Sequence, residues 1–175
     1  MLESIRRMRR LCLALALIST ATAACPPDYP FGYVDRVHRF SVCLPARVIK
    51  EETTGYAAGS VLFRGFALQP KTNLRSKQLL IVSGEYDLLN SAAPFGHFAA
   101  NGLNFERAHF EEGSAGHLTA HLIYTWKDGN TEVHFDFEDR SVNIYNFDPG
   151  QRPTEYNPHD EIKISEQIMS TFGKS

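Results

Sequence analysis

The chain has 175 residues, with 18 basic and 20 acidic side chains and a formal net charge of −2. A mildly acidic chain with no basic cluster outside its N-terminus lacks the electrostatic surface of a nucleic-acid-binding protein, or of one that adheres to anionic lipid. The length suits one domain with a substantial core. Composition therefore excludes nucleic acid as an expected partner.

The first 24 residues predict export. A basic stub with four arginines precedes the apolar run Leu11–Ile18 and the small residues Ser19–Ala24. This order is the anatomy of a secretory signal peptide, and the alternative is a frayed amphipathic helix. Removing the segment leaves fourteen basic and nineteen acidic residues, a net charge near −5. We expect a periplasmic or secreted protein, with one domain over 25–175 and no later membrane-spanning segment.

The cysteine count predicts a disulfide between Cys25 and Cys43. Cys12 leaves with the signal peptide, so an even number remains in an oxidising compartment. The bond would tie the proline-rich arm Cys25–Tyr33 to the first strand. The alternative is a lipid anchor on Cys25, as in bacterial lipoproteins, which would leave Cys43 as an unpaired thiol.

Strand patterns dominate the first half of the domain. His38–Leu44 alternates apolar and polar residues and stops at a proline. Val61–Leu68 and Gln78–Tyr86 have apolar residues on both faces, which is typical of interior strands that are covered on each side. Asn104–Glu111 is a further predicted strand. We expect helices or loops to shield both faces of the resulting sheet.

A short helix is predicted over 91–102. Ser91 can cap its first turn, and Phe95 and Phe98 share one helical face. Asn101-Gly102 is a suitable terminator.

The clearest local pattern is a β-hairpin formed by His117–Trp126 and Thr131–Phe137, with Gly113–Gly116 as a preceding turn. A two-residue Asp128-Gly129 turn would place both apolar sets on one face. This register predicts that Leu122 lies opposite Phe135 and Tyr124 opposite Val133, and that Phe135 is buried.

The chain closes with a predicted helix that begins at Asn157-Pro158 and ends at Gly173. Ile164, Ile168 and Phe172 recur every four residues and form one apolar stripe. The predicted fold class is therefore α+β, an antiparallel sheet covered by helices, with the C-terminal helix packed on the sheet.

The domain resembles the PsbP-like family. The resemblance rests on an early strand that ends in proline (Arg39–Ala46, RFSVCLPA), the run of antiparallel strands and the final helix with EQIMSTF at Glu166–Phe172. It implies a sheet sandwiched by helices, on extracytoplasmic proteins that act by binding rather than catalysis. Function on such folds varies, so this is an inference by analogy.

No G-x-S-x-G, P-loop, H-E-x-x-H or C-x-x-C pattern is present. The predicted register places His121 opposite Asp136, with His134 diagonal to it on the polar face of the hairpin. Such a trio is a possible weak metal or proton-transfer site, and the alternative is a solvated sheet face, which we favour. We expect His121 to titrate above its ordinary value, and no metal ligands, no cofactor and no catalytic residue.

The sequence thus favours an exported, non-catalytic binding or accessory domain whose partner is a protein or small ligand of unknown identity. The alternative is a small extracytoplasmic enzyme that uses the His/Asp site on the 117–137 hairpin.

Overall fold

Residues 24–53 and 59–175 are described by the computed structural model of the chain. The predicted signal peptide, apart from Ala24, lies outside the described residues. The described residues form two β-sheets and the helix α1 (Pro158–Met169). They also include short 3-10 segments at Asp87–Asn90, Ile144–Asn146 and Pro149–Gln151. The strands are β1 Phe31–Asp35, β2 Phe40–Leu44, β3 Ile49–Glu52, β4 Val61–Arg64, β5 Leu74–Ser83, β6 Ala93–Ala100, β7 Leu103–Ser114, β8 His117–Asp128, β9 Thr131–Val142 and β10 Gly173–Lys174.

Tight turns build the larger sheet, whose seven strands run in the order β3-β4-β5-β9-β8-β7-β6. Strands β6 to β9 follow one another through the two-residue turns Asn101-Gly102, Ala115-Gly116 and Gly129-Asn130, and all neighbouring pairs are antiparallel. The smaller sheet has the order β1-β2-β10 and is also antiparallel. The meander brings β9 to the centre of the larger sheet.

The β8–β9 hairpin forms where the sequence predicts it, but its turn is displaced. The turn is Gly129-Asn130 instead of Asp128-Gly129. Gly129 has a φ of 59° at the first central position, which is the glycine placement of a type II′ turn.

The displaced turn changes the cross-strand partners. Leu122 lies opposite Phe137 and Tyr124 lies opposite Phe135, so the predicted Leu122–Phe135 and Tyr124–Val133 pairs are wrong. Because side chains alternate with a period of two, a two-residue shift leaves every side chain on its predicted face. Phe135 is accordingly fully buried.

The predicted helix over 91–102 is wrong, because most of this segment is strand β6. Asn101 and Gly102 both have positive φ and form the turn into β7 rather than the end of a helix. Asparagine-glycine is the strongest short-range hairpin signal, and a helix this short and rich in small residues is marginal. Gly96 has a φ of 95° and lies at a β-bulge next to Pro94, so the strand is irregular.

The hydrophobic core lies on the face of the larger sheet that carries Phe135, which we call the inner face. Phe172, which follows α1, stacks on Phe40 of β2 with ring centroids 5.4 Å apart. It also meets Phe135 edge-on at 5.5 Å and Trp126 at 5.1 Å. These aromatic contacts join the larger sheet, the smaller sheet and the end of α1.

The predicted α+β class, with helices covering the sheet, is wrong: the architecture is mostly antiparallel β-sheet. Within the described ranges α1 is the one α-helix, and the smaller sheet covers the rest of the inner face. Tyr33 of β1 meets Phe63 edge-on at 5.1 Å, and Val42 and Leu44 of β2 are fully buried. Strand residues thus occupy the place where a second helix was expected.

Helix α1 begins where the sequence predicts. The Asn157 side chain accepts a hydrogen bond from the His159 backbone N–H at 3.1 Å, and Pro158 lies in the first turn. Ile168 and Met169 are fully buried against the inner face. In the part of the chain that the structure describes, no helix is long and apolar enough to cross a membrane.

A disulfide joins Cys25 to Cys43, as the cysteine count predicts, with the two Cα atoms 5.6 Å apart. The bond ties the N-terminal arm to β2. Gly32 packs closely beside it, since a Cβ there would lie 3.3 Å from Cys25 Sγ, a tight contact. With its sulfur bonded to Cys43, Cys25 lacks the free thiol that lipidation needs. A disulfide is compatible with an extracytoplasmic compartment.

Candidate functional site

The outer face of the larger sheet carries the three predicted site residues, and two of them are in direct contact. His121 of β8 lies opposite Glu138, not opposite Asp136 as predicted. Asp136 is its diagonal neighbour on β9, and His121 Nδ1 lies 2.9 Å from Asp136 Oδ2. The predicted His–Asp contact therefore exists, although the register that predicted it is wrong.

His134 has separate partners. Its Nδ1 lies 3.0 Å from the Thr125 hydroxyl on the neighbouring strand, and its Nε2 lies 2.8 Å from the Gly84 carbonyl oxygen. Both ring nitrogens are thus used in hydrogen bonds that hold β8, β9 and the loop after β5 together.

Tyr86 links the two halves of this cluster, and sequence patterns gave it no role. Its hydroxyl donates to Asp136 Oδ2 at 2.6 Å, and its ring stacks on His134 with centroids 5.7 Å apart. It reaches the sheet because the loop after β5 folds back over the outer face, where it also covers Leu80 and Val82.

The outer face is buried here, so the expectation of a solvated polar face is wrong. Asp136 and His134 are each 1% exposed and His121 is 6% exposed. The reason is the cover supplied by Tyr86 together with the buried apolar residues of β4, β5 and β8 on the same face. We call His121, Asp136, His134 and Tyr86 the outer-face cluster.

The two buried histidines have opposite electrostatic surroundings. Burial lowers the pKa of His121, but the hydrogen bond and negative charge of Asp136, with Glu138 and Glu112 nearby, outweigh it and raise that pKa above its ordinary value. For His134 burial dominates and lowers the pKa, against the weaker effect of the Gly84 carbonyl. His121 is thus the more readily protonated of the two.

The His121 ring leaves one nitrogen unused. Its Nε2 is buried and has no hydrogen-bond partner among the described residues. A histidine held through Nδ1 by a carboxylate, with Nε2 free, has the arrangement of a general base or a metal ligand. In the described ranges, however, no three His, Cys, Asp or Glu side chains are grouped to hold a metal ion.

A second buried charged group lies on the inner face under α1. The Lys77 ammonium donates to Glu161, and Gln69 donates to the same carboxylate at 2.7 Å. Asp139 is nearby, where burial raises its pKa to about 7, against the opposing effect of Lys77. Sequence reasoning missed this group because its members come from four separate segments. Because Lys77 and Glu161 are paired with each other, we interpret this group as part of the contact between α1 and the larger sheet.

An open cleft of about 490 Å³ lies at one end of the larger sheet. The β7–β8 turn forms one wall, and the end of β9 with the 3-10 segment after it forms the other. Its lining residues are Asn73, Gly113, Ser114, Ala115, Gly116, His117, Leu118, Ser141, Val142, Asn143, Ile144, Tyr145 and Glu155.

The two walls of the cleft are bonded to each other. The Gly116 carbonyl oxygen accepts from the Asn143 backbone N–H at 2.9 Å and from Asn146 Nδ2 at 3.1 Å. Gly116 has a φ of 81°, which favours glycine, and a Cβ there would displace the Asn146 amide that bonds to the Gly116 carbonyl. Ala115 has a φ of 48°, a strained conformation for alanine. The cleft is therefore preformed rather than assembled by a ligand.

The cleft offers both apolar surface and polar groups. Tyr145 is 72% exposed and Leu118 is 37% exposed. His117 Nδ1 is buried and, within the described part of the chain, has no partner. The Gly113–Gly116 turn was predicted as a hairpin turn, and nothing in its sequence indicated that Tyr145 would lie across from it.

No model of a known protein family matches the chain, and no curated protein matches its sequence. Among solved structures, cyanobacterial PsbP (CyanoP) from Synechocystis sp. PCC 6803 matches with a TM-score of 0.50 and 13% identity, over 87% of this chain and 98% of PsbP. The fold resembles that of PsbP. At this identity the likeness shows the fold alone, which is the level at which the sequence predicted it.

A protein from Bacteroides thetaiotaomicron, known from a crystal structure, matches with a TM-score of 0.49 and 13% identity over 82% of this chain. The chain spans about half the length of that protein, 48% of it.

Proposed function

We propose that the protein is an exported binding domain that holds a small ligand in the cleft between the β7–β8 turn and the segment after β9. The observation that carries the proposal is the combination of a preformed cleft of about 490 Å³, an exposed aromatic wall at Tyr145 and the exposed polar residues Ser114 and Glu155 in its lining. Small-molecule sites are typically concave, mostly apolar and lined by a few fixed polar groups.

Export is supported by the signal-peptide anatomy of residues 1–24 and by the Cys25–Cys43 disulfide, which persists in oxidising compartments. We propose that residues 25–175 form the mature protein as a single domain. The resemblance to PsbP-like domains implies an accessory role through binding, which agrees with a cleft of this kind.

The test is a fragment screen on uniformly ¹⁵N-labelled mature protein by two-dimensional NMR. We expect the amide shifts caused by bound fragments to centre on the cleft, around Gly116, Leu118 and Tyr145. A Tyr145→Ala variant should lose these shifts and keep the rest of the spectrum. Fragments that bind only elsewhere, or no binding fragment at all, would contradict the proposal.

The runner-up function is an enzyme that transfers protons through His121. One observation favours it: Asp136 holds Nδ1 while Nε2 has no partner in the described structure. Substrate must then reach Nε2. Modification by diethylpyrocarbonate, mapped by mass spectrometry, tests this, with the exposed His97 and His159 as internal controls. We expect both controls to react and His121 to stay unmodified, whereas rapid modification of His121 would favour the enzyme.

A further inference from the structure

The cleft combines features that restrict the chemistry of its ligand. Its most prominent apolar group is Tyr145, whose ring stands out from the backbone of the 3-10 segment after β9 and is 72% exposed. Leu118 and Ile144 also line the cleft. An exposed tyrosine ring offers a flat apolar surface and a polar hydroxyl at low conformational cost. It suits a ligand with one flat face of C–H groups.

Charges around the cleft are mixed. Glu155 is an exposed acid in the lining. Arg152 lies over the Tyr145 ring, with its guanidinium carbon 5.0 Å from the ring centroid. The Glu155 carboxylate in the lining disfavours an anionic ligand, and the Arg152 guanidinium over the Tyr145 ring disfavours a cationic one. A neutral ligand meets neither repulsion.

Polar groups also line the cleft, and they would be left without partners by a wholly apolar ligand. The Ser114 hydroxyl and the Glu155 carboxylate belong to exposed residues of the lining. Covering them with hydrocarbon would remove their bound water without replacing its hydrogen bonds. A ligand hydroxyl both donates and accepts, so it can bond to either group.

We propose that the cleft binds a neutral saccharide, with the C–H face of a sugar ring on Tyr145 and sugar hydroxyls bonded to Ser114 and Glu155. This inference rests on the proposed function of the same cleft and adds the ligand class. A sugar ring unites what the observations require: no net charge, one apolar face and an edge of hydroxyl groups. The walls are already bonded to each other through Gly116, so little ordering cost accompanies binding.

The experiment is an NMR titration of the full mature domain with four neutral disaccharides: maltose, cellobiose, lactose and di-N-acetylchitobiose. Glucuronate, toluene and butylammonium serve as anionic, apolar and cationic probes. We expect at least one disaccharide to saturate shifts at Gly116, Leu118 and Tyr145, and the three charged or apolar probes to bind there at least about tenfold more weakly, a factor that corresponds to about 1.4 kcal/mol.

Matched variants locate the interaction. Tyr145→Ala removes an exposed ring and should weaken disaccharide binding by about tenfold or more, whereas Tyr145→Phe keeps the ring and should retain most of it. Glu155→Gln should also weaken binding. Val37→Ala removes a side chain that is 82% exposed on the β1–β2 turn and should leave binding unchanged.

The outcomes separate the two proposals. If a charged or apolar probe saturates the cleft and no disaccharide does, the saccharide assignment is wrong while the binding function stands. If neither the disaccharides, the other probes nor the fragment library perturb the cleft, both proposals fail. Disaccharide binding that survives Tyr145→Ala would also overturn the assignment, because it would place the sugar elsewhere.

Discussion

The two faces of the larger sheet are both buried, but by different physical means. The inner face is covered by rings and aliphatic side chains around Phe40, Phe135 and Phe172. The outer face is covered by a loop whose Tyr86 bonds to a buried carboxylate between two buried histidines. Apolar burial is non-directional and independent of pH, whereas a buried polar cluster depends on every partner being present and correctly protonated.

This difference means that each face should fail in its own way. Loss of volume should do most damage in the aromatic part of the inner face around Phe135, away from the Lys77–Glu161 ion pair under α1. Loss of a single hydrogen-bonding atom or a change of pH should do most damage in the outer-face cluster. Four measurements test this contrast.

The largest effect is expected from Phe135→Ala on the inner face. Phe135 is fully buried among other rings, and truncation of a core phenylalanine typically costs about 3–5 kcal/mol of unfolding free energy. Denaturant unfolding measures it. Phe95→Ala on strand β6, where the ring is partly exposed, is the matched control and should cost under about 1 kcal/mol. Equal costs at the two positions would show that the inner face is not the core.

Asp136→Asn should cost about 2–3 kcal/mol, because it removes the charge that the buried His121 and the half-buried Tyr86 both contact. The same substitution at the exposed Asp87 is the control and should be nearly neutral. Denaturant unfolding at neutral pH compares the pair. A cost below that of the control would mean that the outer-face cluster contributes nothing to stability.

Tyr86→Phe should cost about 1 kcal/mol, since it keeps the ring stacked on His134 and removes only the hydroxyl that donates to Asp136. A Tyr145→Phe variant, altered on an exposed ring, should not change the unfolding midpoint. If the two variants unfold alike, the Tyr86 hydroxyl is not a stabilising donor.

The smallest effect is a pH dependence from the two histidines. The pKa of His121 is raised in the folded state, so its contribution to stability is complete below the ordinary histidine value of about 6.5 and is lost as the pH rises through its folded pKa. The pKa of His134 is lowered, so its contribution is present above about 6.5 and is lost as the pH falls through its folded pKa.

Side-chain NMR titration should therefore show His121 protonating at a higher pH than His134. Unfolding midpoints measured from about pH 5 to pH 9 should decline less on the alkaline side in a His121→Gln variant than in the wild type. Two histidines that titrate together near their ordinary value would remove the electrostatic part of the contrast.

Local patterns predicted the parts of the fold whose signals lie within a few residues. The Asn157-Pro158 helix start, the β8–β9 hairpin and the burial of Phe135 follow from capping and alternation. The β8–β9 register failed because Asp128-Gly129 and Gly129-Asn130 are both acceptable two-residue turns. Strand β6 was missed because Asn101-Gly102 was interpreted as a helix end.

The outer-face cluster was predicted in part and for an incomplete reason. The alternation of side chains along paired strands is enough to place His121, His134 and Asp136 on one face. A register error of two residues does not change that placement. Burial did not follow from the sequence, because the covering residue, Tyr86, lies 50 positions away from Asp136 along the chain. The cleft at Tyr145 could not be predicted from the sequence either. It forms where the β7–β8 turn meets the 3-10 segment after β9, at the end of the larger sheet.

The irregularity of strand β6 affects whether the protein can pair with other chains through its sheet edge. An edge strand has unpaired backbone amide groups to which another chain can bond as a new strand, and His97 is the one ionisable side chain on β6. Pro94 removes one donor and the bulge at Gly96 spoils the flatness of the strand. Pro94 and the bulge at Gly96 therefore make β6 a poor template for a further strand from a second copy of the chain.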